Sequence, residues 1–318
     1  MVAVPKRHGF TVVDSFSRIV RLGEGLATTG RIADDAADRT LEALKRCAEI
    51  VARWGVADLR CVTTEACRLA SNGAEFVDRV RRETGLNLQV IGAEQEAALA
   101  VLGCRDLVSS RSDHAVIFDI GGGSTELSWV MAERQKNGRR TINLIESVSL
   151  PFGVVRLSDG LAPGGFAGEH YEGIKKRITH TIKASDAYRR HQSQLDPSHG
   201  HLIGTSGTAT SLAAFNKGMK RYRRREIDGS WLAADDIGRL AAQLTAIGPE
   251  ARAQEPCIGY GRADLIMPGC AILEAIIEAT GYSSVRVADR GLREGIISEL
   301  ITRTAPHPRS PSPAFAAE

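Results

Sequence analysis

Several things are scarce or missing in this 318-residue chain, and each absence narrows the field. Aromatic residues make up only 5% of it. No apolar run approaches the roughly 20 residues needed to cross a bilayer; Ala115–Ile120 is typical of the longest. Charge of one sign is lacking too: 41 Lys and Arg face 38 Asp and Glu, a net charge of +3. The six cysteines (Cys47, Cys61, Cys67, Cys104, Cys257, Cys270) include no Cys-x-x-Cys pair, which argues against a zinc site or a disulfide framework and for buried thiols. The eight histidines make no metal pattern, the nearest being His199-Gly-His201 in a polar stretch that reads as a loop. The residues Met1–His8 lack the charged-then-apolar pattern of a signal peptide, so a cytoplasmic location with no membrane partner is expected. Neither glycine-rich turn has the Gly-x-x-x-x-Gly-Lys-Ser/Thr or Gly-x-Gly-x-x-Gly spacing.

What is present is an alternation of elements. Apolar residues at Ala37, Leu41, Leu44, Ala48 and Val51 predict a helix over Asp34–Arg53. A strand at Leu59–Val62, helices from Ala66 and over Ala74–Thr84, a strand at Leu88–Ile91 and a helix over Ala93–Val108 follow. Such alternation defines the α/β class, with parallel strands joined by helices. A polar break at Ser109–Asp113 marks a domain boundary, giving domains 1–110 and 111–303, with a Pro- and Ser-rich disordered tail over 304–318. The second half opens with strand Ala115–Ile120, a glycine turn and strand Glu126–Val130, a hairpin. Strand His201–Gly204 then leads into helix Ala209–Phe215, and strand Val285–Ala288 precedes a closing helix.

Two turns carry the chemistry. In Asp119-Ile-Gly-Gly-Gly-Ser-Thr-Glu126, the glycines Gly121, Gly122 and Gly123 let backbone N–H groups converge, and Ser124 and Thr125 add hydroxyls. Such a nest suits an anion, phosphate above all. The flanking Asp119 and Glu126 would repel that anion unless a cation intervened, which points to Mg²⁺ held by these two carboxylates. A plain hairpin needs only one or two glycines and gains nothing from two acids. The second turn, Gly204-Thr-Ser-Gly-Thr208, lies between strand and helix, where Ser206, Gly207 and Thr208 can meet phosphate at a helix N-terminus. Two such turns in one domain suit a ligand with more than one phosphate.

Together with Gly92-Ala-Glu-Gln-Glu-Ala97, Arg262-Ala-Asp-Leu-Ile-Met-Pro-Gly269 and Asp289-Arg-Gly-Leu-Arg-Glu-Gly295, these turns resemble the exopolyphosphatase/guanosine pentaphosphate phosphatase (Ppx/GppA) family, in order, from about Phe10 to Leu300. The resemblance implies an actin-like architecture: two ribonuclease H-like domains with the active site in the cleft between them. It also implies hydrolysis of the terminal phosphoanhydride of polyphosphate or pppGpp with Mg²⁺. Glu96, in the helix that follows a strand, matches the family's catalytic glutamate and is expected to be the general base, with Glu94 as second choice. Otherwise, acids at a helix start are only favourably placed in the helix dipole. Arg68 resembles a family arginine facing the cleft, against the alternative of a solvated helix arginine. Arg290 and Arg293 read as structural.

Lys217, Lys220, Arg221, Arg223, Arg224 and Arg225 put six positive charges into nine residues, and Lys175–Arg177 and Arg189–Arg190 add to them. Nucleic acid is the sharper rival reading, but Tyr222 is the single aromatic available for base stacking. A polyanion without bases fits this track better, which favours polyphosphate over pppGpp. A nucleotide 5′-phosphatase, a non-catalytic polyphosphate- or (p)ppGpp-binding relative and, less so, an actin-like kinase remain the competing readings; homodimers are common in the family. The family normally opens with another strand–turn–strand whose turn reads Asp-x-Gly-Ser/Thr-Asn. No such motif occurs here, and Met1–Pro5 reads as the end of its second strand. About 10–20 residues would supply it. The expectation is a start assigned too late rather than a degenerate relative, and a first-domain sheet that lacks its central pairing.

Overall fold

The computed structural model describes residues 1–304 apart from His8, Asn137, Arg139 and Pro163. Of the expected tail, residues 305–318 lie outside the described residues. Among the described residues ten strands are formed: β1 (Val2–Pro5), β2 (Phe10–Asp14), β3 (Cys61–Thr63), β4 (Leu88–Val90), β5 (His114–Ile120), β6 (Thr125–Arg134), β7 (Arg140–Leu150), β8 (Gly200–Thr205), β9 (Trp231–Ala233) and β10 (Ser284–Ala288).

The second lobe is built on a six-stranded sheet in the order β7-β6-β5-β8-β10-β9. β5, β8 and β10 run parallel, while β6, β7 and β9 pair antiparallel to their neighbours. The parallel strands are apolar on both faces because both faces are covered. Val116 and Phe118 point into the main core with Leu127, Trp129 and Leu202, under helices that include Gly207–Asn216 and Ile266–Thr280. Ala115 and Ile117 point the other way and meet Val101 and Cys104 of the helix Ala93–Cys104. That helix, which carries Glu96 near its start, is therefore clamped onto the back of the second lobe's sheet.

The first lobe has less sheet. β1 pairs antiparallel with β2, β3 pairs parallel with β4, and no described strand joins the two pairs. Its core (Ile32, Leu41, Cys67, Phe76, Val80, Leu86, Leu88) lies between helix Asp34–Trp54, helix Gly73–Thr84 and the strands. Helix Asp34–Trp54 ends where Gly55 takes φ +56°, a left-handed turn that favours glycine. The closing helix, Leu292–Thr304, returns to the first half of the chain: Ile296 packs on Ile91 and Leu99, with Leu300 beside them. It lies so close to helix Ala93–Cys104 that a Cβ on Gly295 would fall 1.9 Å from the Leu99 carbonyl oxygen, and one on Gly103 2.0 Å from the Gly291 carbonyl oxygen. Only glycine permits that approach.

Two expected boundaries move. The helix expected to run to Val108 ends at Cys104, and Arg105–Leu107 tightens into a 3₁₀ turn. The strand expected at Leu59–Val62 begins at Cys61. Among the described residues no helix is long and apolar enough to cross a membrane.

Candidate active site

A cavity of about 600 Å³ lies between the lobes. Its floor on the second-lobe side is Ile120 and the loop Gly121–Ser124, with Gly207 and Thr208 beside it; the first lobe contributes Thr63, Thr64, Glu65 and Glu96. Strand ends and the turns after them supply these groups, the usual place for a site in an α/β sheet. Both glycine-hydroxyl turns of the sequence thus face one cavity.

The loop is shaped by its own backbone. Gly121 N–H donates to the Ser124 carbonyl oxygen, and the carbonyls of Gly121 and Gly122 accept from Val154, Val155 and Arg156. The N–H groups of Gly122, Gly123 and Ser124 have no protein acceptor among the described residues. That leaves three clustered donors facing the cleft, a nest for an anion. A Cβ on Gly153 would strike the Gly122 carbonyl at 2.3 Å, so the following segment clamps the loop from behind.

Asp119 and Glu126 stand opposite each other in the β5–β6 register, on one face of the hairpin. Glu126 is buried and accepts from the hydroxyls of Ser124 (2.6 Å) and Ser149 (2.8 Å). Burial, then the charges of Glu126 and Glu96, push the Asp119 carboxyl well above its ordinary range. Glu96 faces the same cavity from the first lobe. Its Oε2 is buried without a hydrogen-bond partner, and the nearest cation, Arg68 Nη1, is 3.6 Å away. Burial and then Glu126 raise the Glu96 pKa to about 7, with Arg68 pulling the other way. A carboxylate with a pKa of about 7, lining a cleft and carrying an unpartnered oxygen, is equipped to accept a proton from water.

The other expected residues are placed less uniformly. Arg68 donates to the Ile91 carbonyl oxygen at 2.6 Å and flanks Glu96 rather than lining the cavity. Thr125 is fully buried, its hydroxyl donating to the Phe152 carbonyl oxygen, so it fastens the hairpin from inside. Ser206 caps helix Gly207–Asn216 by accepting from Ala209 N–H. Glu94, on the same helix as Glu96, does not line the cavity. Lys217, Lys220, Arg221 and Arg223 are exposed, with Arg223 paired to Glu226. Arg224 turns inward, pairing with Glu294 at 2.6 Å. None of these cations lines the cavity. Arg290 pairs with Asp228 and its carbonyl accepts from Thr205, a structural role.

Cavity residues that carried no expected role include Glu65, Arg156 and Arg262. Arg262 packs its guanidinium over Gly207, where a Cβ would meet it at 3.2 Å. It opens the Arg262–Gly269 stretch quoted above, and a lone arginine before an apolar run was the only signal. Glu65 and Arg156 come from opposite lobes, so no local pattern announces them.

Two lobes closing on a cavity, with a glycine-loop nest suited to an anion on one side and a buried carboxylate of raised pKa on the other, belong to the actin-like two-domain class. Residues 1–304 match the Ppx/GppA phosphatase family, and the chain belongs to it. It is 27% identical over 290 residues to exopolyphosphatase 1 of Mycobacterium tuberculosis, covering 90% of this chain and 80% of the relative. It is 28% identical over 306 residues to exopolyphosphatase 2 of the same organism, covering 89% and 88%. A crystal structure of the Aquifex aeolicus family member superimposes with a TM-score of 0.71 at 27% identity, over 95% of this chain and 93% of that one.

Proposed function

We propose that the protein removes the terminal phosphate of inorganic polyphosphate as orthophosphate, with Glu96 as the general base. What supports this reading is that Glu96, whose Oε2 has no hydrogen-bond partner, lines the same cavity as Gly122, Gly123 and Ser124 with their free N–H groups. The terminal phosphoryl group sits in the loop, where N–H dipoles offset the charge that builds on its oxygens. Gly207, Thr208 and Arg262 receive the next phosphate. A water between Glu96 and that group gives its proton to Glu96 as it attacks phosphorus. The P–O bond to the next phosphate breaks, that oxygen keeps the electron pair, and orthophosphate and a chain shorter by one leave.

Asp119 and Glu126 fit a divalent cation in one respect: two hard oxygen donors stand opposite each other on the hairpin, and burial, then the charges of Glu126 and Glu96, disfavour the charged form of Asp119. No cluster of three or more His, Cys, Asp or Glu residues that could hold a metal occurs among the described residues. A cation here would share its coordination with water and substrate oxygens, the habit of Mg²⁺. When bound, Mg²⁺ would neutralise phosphate charge beside the loop.

The preference for polyphosphate over pppGpp rests on the basic run Lys217–Arg225, in which Lys217, Lys220, Arg221, Arg223 and Arg225 are exposed. Competition is the test. Long-chain polyphosphate is expected to suppress phosphate release from pppGpp at lower concentration than the reverse, and EDTA to stop both, with Mg²⁺ restoring them. Stronger competition by pppGpp would make the protein a nucleotide 5′-phosphatase; turnover undiminished in EDTA would remove the cation from the account.

A further inference from the structure

Glu65 begins the helix that follows β3, and its side chain is only 14% exposed. It reaches across the cleft from the first lobe and lies against the phosphate loop of the second. Its Oε2 occupies the space where a Cβ of Gly123 would be, 1.8 Å from that position. The Ser124 hydroxyl stands between it and Glu126, 2.6 Å from the latter, so the two carboxylates share that one hydroxyl. The nearest cation, Arg156 Nη1, is 3.9 Å away, too far for a hydrogen bond. A carboxylate thus rests on the loop whose free N–H groups are built for an anion, held only by a hydroxyl shared with Glu126 and a guanidinium 3.9 Å away.

We infer that Glu65 is a built-in competitor for the phosphate loop, displaced by substrate and favouring departure of the product. This inference rests on the loop being the phosphate site of the proposed function. A phosphoryl group in the loop brings about two negative charges to within a few ångströms of this carboxylate. At that range the repulsion weakens binding about ten-fold. A long chain offsets the loss with its contacts further along the cleft, at Gly207, Thr208 and Arg262. Orthophosphate has no such contacts, so the same repulsion expels it. Glu65 therefore weakens both ligands alike, which leaves orthophosphate, with no further contacts, too loosely held to stay, and Arg156 is the group that the carboxylate leaves to the ligand.

Glu65→Gln keeps the shape and removes the charge; Glu65→Ala is the second variant should Gln disturb folding. Binding of orthophosphate and of tripolyphosphate is measured by calorimetry in EDTA, which needs no turnover and no metal. Orthophosphate is expected to bind about ten-fold tighter to either variant, and as a product inhibitor of hydrolysis to show a correspondingly lower inhibition constant. Tripolyphosphate should gain by about the same factor from a tighter starting point. Unchanged or weaker orthophosphate binding in a folded variant overturns the inference. Tighter binding in a protein that hydrolyses nothing would sustain it and contradict the hydrolase instead.

Discussion

Glu96→Gln is expected to lower kcat about a thousand-fold, within the range that general-base catalysis contributes. Gln preserves the size of the side chain and can still hydrogen-bond, but it cannot accept a proton from water. The parent's pH dependence carries the same information. Burial and Glu126 hold the Glu96 carboxyl at a pKa of about 7, and only its ionised form is a base. The sign follows: kcat/KM rises with pH through about 7 and levels off above it, so at pH 6 it stands at about a tenth of the plateau. Arg68 favours the ionised form, so Arg68→Ala should move that limb to higher pH. A profile flat from pH 6 to 8, or a Glu96→Gln variant with parental turnover, would assign the base elsewhere.

The second large effect is on stability. In helix Leu292–Thr304, Gly295→Ala should be favourable by about 1 kcal/mol on helix propensity alone. The new methyl, however, would lie 1.9 Å from the Leu99 carbonyl oxygen and 2.7 Å from its carbon. The obstacle is backbone and cannot rotate away, so the two helices must part. Overpacking of that kind outweighs the propensity gain and gives a net loss of about 3 kcal/mol, a fall in Tm of roughly 6 °C or more. Because helix Ala93–Cys104 carries Glu96, activity should fall with it. Gly173→Ala is the control: that glycine is exposed within helix Gly168–Ala184, with nothing within 4 Å of the new methyl. It should stabilise by about 0.5–1 kcal/mol. A Gly295→Ala protein as stable as the parent would show that the helix pair is not so tightly joined.

How much of this was legible in the sequence depended on whether the signal was local. The β5–β6 hairpin was, because Asp119–Glu126 concentrates glycine, hydroxyls and acids in eight residues between two apolar runs. Helix Asp34–Trp54 was, because its apolar residues keep a helical period. β7 (Arg140–Leu150) was not: Thr141, Asn143 and Glu146 break its apolar run, and its strand character comes from pairing with β6. Helix Ile266–Thr280 was not, since it is buried all round and shows no amphipathic period. In the site, the two glycine turns and Glu96 were legible, the last only through the family resemblance. Glu65 and Arg156 lie far apart in the chain and meet only across the cleft. The basic run was conspicuous, yet charge alone does not say where a side chain points: Arg224 is spent on Glu294 and the Asp289 carbonyl.

The most direct test of the account is the time course of long-chain polyphosphate incubated with Mg²⁺ and the parent protein, beside Glu96→Gln, with orthophosphate and residual chain length both measured. The account predicts orthophosphate as the small product from the first turnovers, shortening from the chain end, and near-complete loss of both in the variant. Release of oligophosphates from mid-chain, or equal release by parent and variant, would contradict it.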